Sequence, residues 1–313
     1  MQKIAAFATL IRPVNALPAA LLSATGGIIT QIPLIGKITL SYAPAAITIA
    51  VLSNSMILND LFDIHVDRIN NPERPLVSGQ ISRTEAVAAS ILLYSITELL
   101  SHQHLPKLGQ TIVRTVNWLI LLYTPIFKHI LLLKNIVCAG IIATTPILGA
   151  LSVATISVAT ISVATTSAAT TSAATTSVAT TSVATTPLLW LLSYTIFMGS
   201  ASLEILLDID DVNGDARANI RTLPVVFGRK SAFRVACAIC FMNLLANLAA
   251  VSYWYGIPFG IGLLFIQSPI LSNLEYIYLH AFAKHSIRTY SKSTIAPMIL
   301  TLGYYCMLAK IQK

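Results

Sequence analysis

The sequence has 313 residues, of which 55% are hydrophobic and 10% are charged, and its formal net charge is +8. Soluble domains carry about a quarter charged residues, so this composition excludes an ordinary soluble protein and indicates a multi-pass membrane protein. The positive charge does not call for a nucleic acid as partner, because no nucleic-acid-binding motif accompanies it.

Apolar stretches follow one another along the chain. About nine of them are long enough, or nearly so, to cross a bilayer, which requires about 20 residues per helix. They centre near residues 20, 50, 92, 120, 143, 197, 242, 265 and 302. The sequence therefore predicts an all-α fold, a multi-pass membrane helical bundle of about nine transmembrane helices. We expect a single domain over residues 1–313, interrupted by one insertion.

Two triplets of aspartates with the same spacing end the second and the sixth apolar stretch. They are Asp60, Asp63 and Asp67, and Asp208, Asp211 and Asp215. The spacing i, i+3, i+7 places three carboxylates on one face of a helix, where they repel one another unless cations lie between them. Ionisable groups near membrane depth are functional candidates, and carboxylate oxygens suit Mg²⁺ bound together with phosphates. The alternative is a pair of solvated loops beside membrane helices.

The predicted insertion is a low-complexity tract over residues 151–186. A pentapeptide ending in SVAT or SAAT occurs seven times between Leu151 and Thr185, without any charged residue. With a period of five, the valines do not fall on one side of a helix or of a strand. We therefore expect the tract to build no core. The alternative is that part of it lengthens a neighbouring helix.

Charge asymmetry predicts the orientation. With nine spans, the N-terminus and both aspartate triplets share one face of the membrane. That face carries all 20 Lys and Arg residues except Lys37, Lys107, Arg114, Lys310 and Lys313. Because positive residues concentrate on the cytoplasmic side, we expect both triplets to face the cytoplasm or its equivalent.

The triplets lie in two longer motifs. Residues 59–76 read NDLFDIHVDRINNPERPL, and residues 204–228 read EILLDIDDVNGDARANIRTLPVVFG. These segments resemble the two signatures of the UbiA superfamily of intramembrane prenyltransferases. The forms DRINNPERPL and DVNGDARANIRTLPVVFG are most similar to the branch that contains digeranylgeranylglyceryl phosphate synthase, chlorophyll synthase and homogentisate prenyltransferases. Two departures from the family pattern are Leu207, where lysine is common, and the five-residue spacing of Tyr123 and Lys128.

The resemblance implies a Mg²⁺-dependent enzyme, with Mn²⁺ as a possible substitute, in which metal ions link both acidic motifs to a diphosphate. The implied metal ligands are Asn59 and the six aspartates. The resemblance also implies binding of donor or acceptor by basic and polar side chains. These are Arg12, Asn15, Arg68, Arg74, Lys128 and Arg221.

The implied reaction is transfer of a geranylgeranyl-like group from an isoprenyl diphosphate to a lipophilic or aromatic acceptor, in lipid, quinone, tocopherol or chlorophyll-type biosynthesis. The partners are that donor, a hydrophobic acceptor and membrane lipid, with no nucleic acid. Three alternatives remain open: an ion-coupled transporter, a phosphatidyl-alcohol transferase and a catalytically inactive structural member of the fold. A transporter would carry its acids in the middle of the spans, whereas these triplets lie at span ends.

Overall fold

The computed structural model describes residues 2–35, 41–153 and 186–311. Within these ranges the chain is almost entirely helical and contains no β-strand, and eight segments are long and apolar enough to cross a membrane. They coincide with the predicted stretches except for the one near residue 120. There the helix Lys107–Tyr123 has 17 residues, the lower limit of about 17–25 for a spanning helix. The prediction of an all-α membrane protein is confirmed.

We number the helices in chain order. They are α1 (Gln2–Ile11), α2 (Ala16–Ile35), α3 (Ala43–Phe62), α4 (Ile64–Asn70), α5 (Arg83–His104), α6 (Lys107–Tyr123), α7 (Leu133–Ala143), α8 (145–153), α9 (Pro187–Arg217), α10 (Leu223–Phe227), α11 (Arg229–Tyr255), α12 (Ile257–Gln267), α13 (Pro269–Leu279), α14 (Lys284–Ser293) and α15 (Ile295–Ile311). Short 3₁₀ helices lie at Pro13–Asn15 and Phe127–His129.

The chain divides into two compact units, and within the described ranges the first comprises residues 2–35, 41–124, 144–153 and 186–190. In this unit α3 packs against α1, α2, α5 and α6. A buried apolar cluster beneath the first acidic motif joins α1, α3, α4, α5 and the segment between α4 and α5. Its members are Ala6, Leu10, Ile57, Ile64, Leu76, Ile81 and Ala86. The cluster holds the motif against α1, so the position of the acidic residues depends on this packing.

A capping box fixes the start of α5. The amide of Glu85 donates to the hydroxyl of Ser82 at 3.2 Å, and the amide of Ser82 donates to a carboxylate oxygen of Glu85 at 2.9 Å. These two bonds satisfy amides that the first helical turn otherwise leaves without partners. The segment after the first motif is therefore bounded by a firm helix start.

The second unit comprises residues 125–143 and 191–312. In it α11 packs against α10 and α12, α12 against α13 and α15, and α14 against α13 and α15. Gly228 has φ +82° and serves both as the last cap of α10 and the first cap of α11, a backbone conformation that glycine adopts without steric cost. The joint lets the chain turn directly from the end of the second motif into the next long helix.

Helix α9 presents different residues on two faces. Ile205, Leu206 and Ile209 are at most 1% exposed and belong to the core of the second unit. At about 100° per residue, Asp208, Asp211 and Asp215 fall within an arc of about 60° on another side of the helix. The apolar face therefore anchors α9 and keeps the acidic stripe out of the core.

The repeat tract departs in part from expectation. Residues 151–153 continue α8, and Leu151, Ser152 and Val153 are at most 3% exposed. The expectation that the tract builds no core is therefore wrong for these three residues, and the alternative that part of it lengthens a neighbouring helix holds there. The reason is close packing of α8 on α2, where Val153 lies over Gly27. The remainder, residues 154–185, lies outside the described residues.

Candidate active site

The first aspartate triplet lies at the junction of α3 and α4. Asp60 is in the last turn of α3, Asp63 caps that helix at φ −92° and ψ 9°, and Asp67 lies in α4. The amide of Asp63 donates to the carbonyl of Asn59 at 2.9 Å and that of Asp67 to Asp63 at 2.8 Å. Helical hydrogen bonding thus continues across the junction. The three carboxylates are between 2% and 5% exposed.

Two arginines neutralise this triplet. Nη1 of Arg74 lies 2.9 Å from Oδ1 of Asp60 and also pairs with Oδ2 of Asp67, so one guanidinium joins two carboxylates seven positions apart. Nη2 of Arg12 lies 2.8 Å from the same oxygen of Asp60. Arg12 has φ +50°, a left-handed conformation that is uncommon outside glycine. Both arginines were predicted from the sequence, and both lie on the acidic motif.

Burial and charge act in opposite directions on these groups. Burial raises the pKa of the Asp67 carboxyl above its ordinary value, and the positive charge of Arg74 opposes the rise. Burial lowers the pKa of the Arg12 guanidinium, and the charge of Asp60 opposes the fall. In both groups burial has the larger effect on the pKa, and the charge of the partner reduces it.

The second triplet lies in the last turns of α9. Asp208 and Asp215 are each 3% exposed. Nζ of Lys134 forms an ion pair with Oδ1 of Asp208, and Nδ2 of Asn135 donates to Oδ2 at 3.0 Å. Oδ2 of Asp215 is buried without a hydrogen-bond partner in the described part of the chain. Such an oxygen is costly unless a ligand satisfies it.

The acidic stripe extends one turn further back than the sequence analysis recognised. Glu204 precedes Asp208 by four positions, and one of its carboxylate oxygens accepts a hydrogen bond of 3.3 Å from the thiol of Cys138. Lys134, Asn135 and Glu204 were all absent from the predicted site. A lysine and a glutamate inside apolar spans were the signal available for two of them, because such residues are rare there.

Asp210 lies off the acidic stripe and has its own partners. Its Oδ2 lies 3.5 Å from Nε of Arg288 and 4.0 Å from Nζ of Lys284, both on α14. The two basic residues tie the acidic end of α9 to α14 within the second unit. We therefore assign Asp210 to this contact with α14 and not to the acidic stripe.

The other residues predicted for the site make fewer contacts with the aspartates. Asn15, Arg68 and Arg221 are exposed. Asn59 accepts a hydrogen bond of 3.4 Å from the hydroxyl of Thr124. Lys128 is half-buried in the second unit, where its charge acts on Asp215. The role predicted for each of them stays a prediction.

The donor set suits a hard divalent cation, although it is not assembled as a closed cage. Within the described ranges, no group of three or more His, Cys, Asp or Glu side chains forms a ready-made metal site. Arginine and lysine side chains hold Asp60, Asp67 and Asp208 instead. The donors are carboxylate oxygens, and the unpartnered oxygen of Asp215 is one that a cation would satisfy.

These features define a multi-pass α-helical membrane protein with an acidic cluster at the end of a helix in each of its two units. The profile of the UbiA prenyltransferase family matches residues 14–281, and the chain belongs to this family.

Relatives of known name are similar over most of the chain. Digeranylgeranylglyceryl phosphate synthase of Pyrococcus furiosus is 27% identical over 82% of this chain and 82% of its own length. The enzyme of the same name from Haloquadratum walsbyi is 29% identical over 83% and 79%. Both relatives are less than one third identical to this chain, and each alignment covers about four fifths of both sequences.

Solved structures share the fold. A structure of digeranylgeranylglyceryl phosphate synthase in membranes has a TM-score of 0.65 at 21% identity, covering 99% of this chain and 100% of the other. A UbiA homologue from Archaeoglobus fulgidus, bound to DMAPP and Mg²⁺, has a TM-score of 0.60 at 17% identity, with coverage of 97% and 99%. At these identities the likeness establishes the fold.

Proposed function

We propose that the protein transfers an isoprenyl group from an isoprenyl diphosphate to a lipophilic acceptor at the membrane, in a reaction that requires Mg²⁺ or Mn²⁺. The observation that carries the proposal is the pair of aspartate triplets, buried except for the half-buried Asp211, each in contact with basic side chains at a helix end. Family membership supports it. So do the names of the relatives, which are prenyl-transferring synthases of a glycerophosphate lipid.

The acidic residues would hold the metal ions, and the basic residues the phosphate oxygens. The proposed metal ligands are Asn59, Asp60, Asp63, Asp67, Asp208, Asp211 and Asp215. Bound Mg²⁺ supplies neutralisation of the negative charge on the departing diphosphate. Arg74 is suited to phosphate because its guanidinium presents paired donors. Arg12, Asn15, Arg68, Lys128 and Arg221 are proposed to bind donor or acceptor.

In this proposal the apolar spans keep water away from the reacting carbon. Loss of diphosphate leaves positive charge on an allylic carbon, which water would quench. Helices whose side chains are largely apolar exclude water from the reacting carbon. A geranylgeranyl-like donor is proposed because the motifs are most similar to the branch that uses long isoprenoids.

A transfer assay tests the proposed function. Purified protein is incubated with Mg²⁺, labelled geranylgeranyl diphosphate and a panel of glycerophosphate-lipid, quinone-precursor and chlorin acceptors. We expect labelled product and release of diphosphate only with a matching acceptor, and neither in excess chelator. Folded protein that transfers label to no acceptor would favour the inactive structural member, and chelator-resistant transfer would exclude the metal-dependent reaction.

We propose that both acidic motifs face the cytoplasm. The concentration of Lys and Arg on the side of the motifs supports this orientation. Single cysteines at Gln80 and Asn219, both exposed and adjacent to the motifs, should resist a membrane-impermeant thiol reagent added outside intact cells. A cysteine at the exposed Lys107, beyond α5, should react. Labelling of Gln80 and Lys107 from the same side would contradict the predicted crossing by α5.

A further inference from the structure

A lysine is buried inside the second acidic cluster. Lys134 is the second residue of α7 and is 7% exposed, in a span that contains no other charged residue. Its ammonium group pairs with Asp208 and is attracted by Asp215 and Glu204 as well. A charged side chain in a membrane helix is costly, and those that are retained have partners and commonly a function.

Both carboxylate oxygens of Asp208 have a partner. Lys134 holds Oδ1, and Nδ2 of Asn135 donates to Oδ2 at 3.0 Å. Both donors come from consecutive residues of one helix, so they approach Asp208 as a unit. A divalent cation that binds Asp208 must therefore either displace the ammonium group, which would lose its partner in a buried place, or share the carboxylate with that positive charge, which repels it.

The basic side chains at the first triplet are more exposed than Lys134. Arg12 and Arg74 have side chains that are 34% and 22% exposed, whereas that of Lys134 is 8% exposed. Arg12 and Arg74 also lie outside the spanning helices, so their guanidinium groups can turn into water when a metal ion arrives. Lys134 has no comparable path, because α7 fixes its backbone beside Asp208.

We propose that Lys134 competes with a divalent cation for Asp208 and thereby lowers the affinity of the second acidic cluster for free metal ions. The inference rests on the proposed metal-dependent function and adds a specificity-determining residue to it. Its consequence is that the second cluster binds a divalent cation well only together with the negatively charged diphosphate, which offsets the charge of Lys134. A cluster of this kind remains largely metal-free until the donor is present.

Mn²⁺ binding in the absence of donor and acceptor tests the proposal. Free Mn²⁺ is followed by electron paramagnetic resonance with the full-length protein in detergent, in an Asp63→Ala background that removes binding at the first triplet. Lys134→Met should tighten Mn²⁺ binding by at least about tenfold, because it removes a positive charge that repels the ion at the same carboxylates. Lys134→Arg should bind Mn²⁺ like the parent, since it keeps the positive charge.

A matched control separates competition at Asp208 from a general change of charge. Lys284→Met also removes one positive charge from the second unit, but Lys284 pairs with Asp210 at 4.0 Å. We expect Lys284→Met to leave Mn²⁺ affinity unchanged. An equal gain in both methionine variants would show that only the summed charge matters, and an unchanged affinity in Lys134→Met would overturn the proposal.

A second substitution keeps the test decisive if Lys134→Met does not fold. Asp208→Asn preserves the shape of the side chain and leaves an acceptor for Lys134. It should not weaken Mn²⁺ binding in the Asp63→Ala background, because Lys134 already withholds Asp208 from the free ion. A loss of about tenfold or more would make Asp208 a principal ligand of the free ion and overturn the inference. Asp211→Ala in the same background, titrated up to Mn²⁺ concentrations that fill the second cluster when Asp211 is present, separately tests the metal site, since unchanged Mn²⁺ binding there would reject the site itself.

Discussion

Alanine in place of Asp63 or Asp211 should lower kcat/KM for prenyl transfer at least about 1,000-fold. The reason is that a metal ion stabilises the charge of the departing diphosphate by several kcal/mol, and each 1.36 kcal/mol is a factor of about ten in rate. Asp63 is 5% exposed at the junction of α3 and α4, and Asp211 lies within the acidic stripe of α9. The measurement is initial rate with labelled donor over a range of Mg²⁺ concentrations.

Glu73→Ala is the matched control for this experiment. Glu73 lies in the same motif and carries the same charge, but it is exposed and off the aspartate stripe. It should retain the parental rate and Mg²⁺ requirement. Each variant must elute as a folded protein and remain in the membrane fraction before its rate is compared. Near-parental transfer by either folded aspartate variant would reject the metal-dependent mechanism.

The sequence predicted the helices and the acidic stripes because both depend on local spacing. Hydropathy locates a spanning helix within one segment, and the i, i+3, i+7 pattern defines a helical face without knowledge of any neighbour. Arg74 was proposed from the resemblance of the first motif, in which it lies seven positions after Asp67. The structure has eight candidate spans against about nine expected because α6 is short, with 17 residues, and includes the charged Lys107 and Arg114.

The contacts that the sequence did not predict are those between distant segments. Asn135 and Asp208 are 73 positions apart, and no local pattern connects them. Lys134 was counted only as a charge that orients the protein, because its burial against Asp208 depends on how α7 packs beside α9. The break at Asp63 was equally hidden, since neither glycine nor proline marks it.

Alanine in place of Gly26 or Gly149 should strongly destabilise the first unit. A Cβ atom at Gly26 would lie 2.0 Å from the carbonyl oxygen of Pro146, and one at Gly149 would lie 1.8 Å from that of Ser23. Helices α2 and α8 therefore meet backbone to backbone, in the close approach that small residues permit between membrane helices. Because the obstacle is backbone, the helices must separate, at a cost at or above about 1–3 kcal/mol for an overpacked core.

The measurement is the melting temperature of purified protein in detergent, which we expect to fall by several degrees for either variant. Gly140→Ala and Gly199→Ala are matched controls, since a Cβ atom at either position meets nothing within 4 Å in the described part of the chain apart from its own helix backbone and chain neighbours. Both should melt at or slightly above the parental temperature, because alanine favours a helix over glycine by about 1 kcal/mol. Because α8 leads into the repeat tract, the Gly149 variant also tests whether the start of that tract is structural. A melting temperature unchanged in Gly149→Ala would mean that α2 and α8 do not pack as closely as described.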